Sequence, residues 1–175
     1  MLRKLALSLS LVLMAVLAAA PAVMAQDKVT GEYDLAWNTC WPGPQDEVPD
    51  WIGTVDIDGD VHDIVFFLLG NGRPPGQELP EGSGAFIEIW AIYDGFDATF
   101  DDECALEALE GDLVIWGHDA GVSNYDAQEY AMTGTVVEGF GDYSDLAGAD
   151  VVMSGTFTVD DEGNPLTAPG TIEIG

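Results

Sequence analysis

Positive charge is the scarcest property of this chain. Four Lys and Arg stand against 32 Asp and Glu in 175 residues, a formal charge of −28. Without a basic stripe the chain has nothing to neutralise a phosphate backbone, and its charge repels anionic membrane surfaces; both nucleic acid and anionic lipid are excluded as partners. Histidine and cysteine are nearly absent too. Only His62, His118, Cys40 and Cys104 occur, and no pair has zinc-ligand spacing, so the sequence points to no metal site and to no cofactor. Apolar residues, by contrast, make up 47% of the chain and aromatics 10%. That is too much for a solvated acidic tail, and it predicts a folded body under an acidic coat.

Residues 1–25 read as a cleaved secretory leader. Arg3 and Lys4 precede an apolar and small-residue run over 5–20, and Val23-Met24-Ala25 sets small residues where a processing enzyme needs them. A retained membrane anchor is the alternative, because the run approaches bilayer-spanning length. No Cys follows the cleavage position, which gives no support to lipid attachment. The segment 26–175 then keeps all 32 acids with only Lys28 and Arg73 as bases, a net of −30, and its length suits one domain with one core. Export would place Cys40 and Cys104 in an oxidising compartment, where a disulfide is the natural expectation and two buried thiols the alternative. Such a bond closes a loop of about 65 residues and adds about 4 kcal/mol on a chain-entropy estimate.

The hydrophobic pattern repeats every second residue. Val29, Gly31, Tyr33, Leu35 and Trp37 alternate with polar neighbours, as do Trp51, Gly53, Val55 and Ile57. Asp58-Gly59 supplies a positive-φ turn into a returning strand over 61–69. Further strands are expected over 85–93, 113–119, 128–137 and 151–159 and at Ile172 to Ile174, separated by Gly, Pro, Asn and Asp clusters such as 70–76. One short helix is expected over Asp102 to Glu110, with Gly111 as its stop. Eight or nine strands in one domain predict an all-β antiparallel barrel of about eight strands, with a β-sandwich as the alternative. Strands 61–69 and 85–93 are apolar on both faces, so each needs cover inside the barrel and outside it.

One element bears a family likeness. Gly139-Phe140-Gly141-Asp142-Tyr143-Ser144-Asp145-Leu146-Ala147-Gly148, followed by a strand containing Gly155-Thr156 and preceded by Gly134-Thr135-Val136, resembles the Gly-x-Gly-x-aromatic-x-x-hydrophobic-x-Gly turn of secreted barrels similar to allene oxide cyclase and dirigent proteins. The resemblance implies a barrel whose chemistry resides in lumen residues. Members of that superfamily cyclise lipid epoxides or orient the radical coupling of phenols, and many bacterial ones have no assigned activity. The matching residues form a structural turn outside the lumen, so no catalytic residue is carried over.

Candidate lumen residues come from the pattern itself. In Phe86, Glu88, Trp90 and Ile92 one carboxylate interrupts an apolar face; burial would raise its pKa, and with Trp90, Trp116 and His118 it would form a polar handle or general acid/base in an aromatic pocket. The competing reading turns Glu88 to solvent with the other acids and leaves His118 as a surface residue. Trp37, Trp41 and Trp51 would likewise line a cavity or fill a core. Asp56, Asp58, Asp60 and Asp63 crowd one hairpin, but Gly59 stands at position four and Phe67 at position twelve, which is wrong for an EF-hand; an Asp-rich turn is the simpler account. The general acidity would hold water in a saline habitat or attract cationic partners.

These features point first to an exported, non-enzymatic barrel that binds a small apolar or aromatic ligand or serves as an envelope interaction module. A lumen cyclase or isomerase using Glu88 is the rival. A structural surface protein is the third reading, and it predicts no cavity of roughly 300 Å³ or more. An apolar strand face left outside the barrel would favour a homo-oligomer.

Overall fold

A computed structural model describes residues 28–44, 48–70, 72, 78–101 and 103–175. The expected leader, Arg73 and Asp102 lie outside the described residues. The chain is all-β: β1 (Val29–Trp37), β2 (Trp51–Ile57), β3 (Asp60–Gly70), β4 (Ser83–Phe100), β5 (Leu106–Asn124), β6 (Glu129–Gly139), β7 (Asp150–Thr156), β8 (Thr158–Val159), β9 (Pro165–Thr167) and β10 (Gly170–Ile174). Neighbours in sequence pair antiparallel from β1 to β7, β10 pairs with β7, and β10 also pairs with β1. Eight strands therefore close into an up-and-down barrel, and closure removes the free edges that a sandwich would leave. The β8–β9 excursion extends one rim and touches β1 through Ala36 and Thr167.

Alternation decides what fills the barrel. Tyr33, Leu35, Val55, Ile57, Ile64, Phe66, Trp90, Ile92, Ile115, Val136, Val151, Met153, Ile172 and Ile174 form one buried cluster along the lumen. Trp90 fits because β5 carries Gly117 opposite it; a Cβ there would strike the indole. One end of the barrel is shut. The Asp58-Gly59 turn lies there, with φ of 55° and 97° and with Asp56 accepting the Gly59 N–H. A 3₁₀ turn over Gly141–Leu146 sends Leu146 into the core, and Tyr143 packs edge-on against His62. His62 Nδ1 lies 2.6 Å from Asp94.

The helix expected over Asp102 to Glu110 is not formed. Residues 106–110 open β5 and pair with 97–100 of β4, so cross-strand pairing overrides the helix propensity of Ala, Leu and Glu. This pairing produces an overlong β4–β5 hairpin that leaves the barrel at its shut end. Bulges near Tyr93 and Asp94 and positive φ at Gly95 and Gly111 allow it to bend. Phe96 donates its N–H to Asp63, and Leu109 borders a cleft with Phe67, Ala91 and Trp116 on the outer face of β3, β4 and β5. The tip ends at Cys104, bonded to Cys40 beyond the far end of β1. The hairpin thus doubles back along the outside, and the disulfide ties its tip to the opposite end. Val65, Phe67 and Ala91 are buried on that outer face, which is the second cover their strands required.

Candidate functional site

The end of the barrel opposite the 3₁₀ turn holds a cavity of about 220 Å³. Its rim is aromatic. Trp37 ends β1, Trp51 begins β2 and Trp41 lies in the connection between them; Trp37 meets each of the others edge-on at 5.0 Å. Tyr125 and Phe157 form a second such pair across the mouth, with centroids 5.9 Å apart. Phe66, Phe86 and Met132 lie deeper. Edge-to-face packing holds these rings in place without closing the opening.

Carboxyl groups sit inside this aromatic wall. Glu88, from β4, lines the cavity at 6% exposure, and Asp50, just before β2, lines it at 1%. Asp119 from β5 is 3% exposed and has both carboxyl oxygens buried without a hydrogen-bond partner among the described residues. Asp50 is held by the Leu68 N–H at 3.0 Å. Glu88 receives no hydrogen bond from any described residue.

Burial is the first cause of what these groups do with their protons. Loss of hydration pushes Asp50 up to about 7 against the smaller opposing pull of backbone N–H groups, and pushes Asp119 up to about 8 with help from the charge of Asp50. Glu88 is raised well above the usual carboxylate range by burial, then by Asp50 and Asp119. Beside them the hydroxyls of Tyr33 and Tyr130 lie 2.8 Å apart, and Tyr130 donates to the Pro169 carbonyl at 3.2 Å. Burial raises both phenols. Near neutral pH the interior therefore holds protons that it can give up to a change in local charge.

The residues anticipated from sequence divide by face. Glu88 and Trp90 point into the barrel, with Trp90 fully buried below the cavity floor. Trp116 and His118 do not join them: Trp116 packs against the outer cluster and His118 is exposed. Their inward neighbours on β5 are Ile115, Gly117 and Asp119. The expected grouping of Trp116 and His118 with Glu88 has the opposite parity, because 113–119 has apolar residues on both faces and alternation there is ambiguous. The signal that separates them is the spacing of Gly117 and Gly121, which stand opposite Trp90 and Phe86 and mark the crowded inner side. Asp50 and the Tyr33–Tyr130 pair were missed altogether; Asp50 precedes its strand, where alternation says nothing.

Among the described residues no group of three or more His, Cys, Asp and Glu is arranged to hold a metal ion. No protein-family model matches the chain, and no curated protein or solved structure matches it.

Proposed function

We propose that this protein is an exported binding module that takes a small apolar or aromatic ligand into the open end of its barrel. The observation that carries the reading is the aromatic-walled cavity. A dry apolar cavity of about 150 Å³ is enough to hold benzene, whereas ligand pockets for larger molecules start near 300 Å³. At about 220 Å³ the cavity is smaller than the roughly 300 Å³ that would exclude a purely structural barrel, and as a binding site it suits one ring with a compact substituent. The leader-like N-terminus supports an extracytoplasmic location, and the Cys40–Cys104 bond agrees with an oxidising compartment. The likeness of the 139–148 turn to allene oxide cyclase and dirigent barrels supports the same placing of function in the lumen.

Titration with tert-butylbenzene and with phenyltrimethylammonium, which share shape and size, tests the reading by tryptophan fluorescence. Binding of at least one probe, lost in Ser123→Trp, which fills the mouth, is expected. No binding of either by the wild-type protein overturns it.

A second reading has one observation in its favour. Glu88 is a buried carboxyl facing an aromatic cavity, the setting of a general acid in a cyclase or isomerase. That reading requires Glu88→Gln to lower turnover by roughly a hundredfold.

A further inference from the structure

The charge of the cavity narrows the ligand class. Two acids line it, a third stands behind them, and among the described residues no Lys, Arg or His lines it. Lys28 is at the other end of the barrel, 2.6 Å from Glu173. Phenols rather than bases face the acids from the neighbouring strands: Tyr33 on β1 and Tyr130 on β6, with Tyr125 at the rim. Glu88 is 94% buried, has no hydrogen bond from a described residue and lines the cavity. A buried carboxylate without a partner is costly, so the site lacks a positive charge when ionised.

The wall indicates which cation. A hard metal ion asks for six to eight oxygens, and most of this lining is aromatic or aliphatic. The faces of Trp and Tyr carry negative quadrupole charge and attract alkylated ammonium groups, more strongly when water is excluded. Here Trp37, Trp41 and Trp51 form such a wall above the acids.

We infer that the ligand is a small organic cation, an alkylated ammonium on a compact aromatic or aliphatic body, held between the three-tryptophan rim and the carboxyls of Glu88 and Asp50; this rests on the binding reading above. Burial raises the carboxyls of Asp50, to about 7, and of Asp119, to about 8, so below those values entry of the cation expels a proton. Affinity for the cation therefore rises with pH, by up to about tenfold per unit while one proton leaves per ligand. A neutral ligand of the same shape expels none.

Calorimetry on the full protein with phenyltrimethylammonium and tert-butylbenzene decides the matter. At pH 8 the cation is expected to bind at least tenfold more tightly than its neutral counterpart, and at pH 6.5, below the values at which Asp50 and Asp119 lose their protons, its binding is expected to release a proton that appears as a dependence of the heat on buffer ionisation. The preference is expected to fall within about threefold of unity in Glu88→Gln, and to narrow in the wild-type protein at pH 5.5, a comparison that needs no variant. If tert-butylbenzene binds as tightly as the cation and no proton is released, the cation assignment is wrong and the binding reading stands. If neither probe binds, both fall.

Discussion

The two ends of this barrel are built from the same alternating strands and do different work. At the shut end Ile57, Ile64, Ile92, Ile115, Val151 and Ile174 meet with almost no exposure, Leu146 plugs the opening, and the polar groups His62, Asp94 and Tyr143 engage one another at the rim. At the open end rings stand apart around a cavity, and three acids are buried among them without a base from the described residues. One end is satisfied and the other is not. Buried acids of this kind oppose folding, so their presence in a small barrel points to use rather than support.

The largest effect should come from pH. Unfolded Asp and Glu ionise near pH 4, whereas in the folded chain Asp50 holds its proton to about 7 and Asp119 to about 8. Between those values the unfolded state binds fewer protons, so stability falls as pH rises; below pH 4 both states are protonated and the penalty vanishes. Urea unfolding should show a loss of several kcal/mol from about pH 4 to 8. Asp119→Asn should flatten the slope. A protein that gains stability over this interval would contradict the burial of these acids.

The disulfide comes next. It is the covalent tie between the folded-back hairpin and the open end, and replacing both cysteines by Ser should cost about 4 kcal/mol in denaturant unfolding. Ile64→Ala, in the satisfied half, should cost about 3 kcal/mol through its cavity, while leaving probe binding at the other end intact once folding is restored by lower temperature. A loss of binding with the fold retained would mean that the ends are not separable. Smallest is Lys28→Ala, which removes an exposed ion pair with Glu173 and should change stability by less than about 1 kcal/mol.

The barrel was legible because alternation is a two-residue property that survives tertiary context, and strands β1, β2 and β3 begin and end within a residue of the expected positions. The folded-back hairpin was not. Residues 106–110 have good helix formers, and only their pairing with 97–100, a tertiary fact, makes them a strand. The direction of Glu88 could be proposed from Phe86, Trp90 and Ile92, since a lone acid on an apolar face has one of two fates. Convergence of Asp50 and Asp119 upon it depends on strand register: Glu88 pairs with Asp119 on β5 and with Leu68 on β3, whose N–H holds Asp50.

The five tryptophans report on the open end of the barrel from five places. Trp37, Trp41 and Trp51 ring the cavity, Trp90 is sealed beneath it and Trp116 lies on the outer face. In a ¹⁵N-labelled sample titrated with phenyltrimethylammonium at pH 8, the indole N–H resonances of Trp37, Trp41 and Trp51 should move together along one saturating curve, with Trp116 unmoved. Five static resonances, or a shift confined to Trp116, would contradict a ligand site at the open end of the barrel.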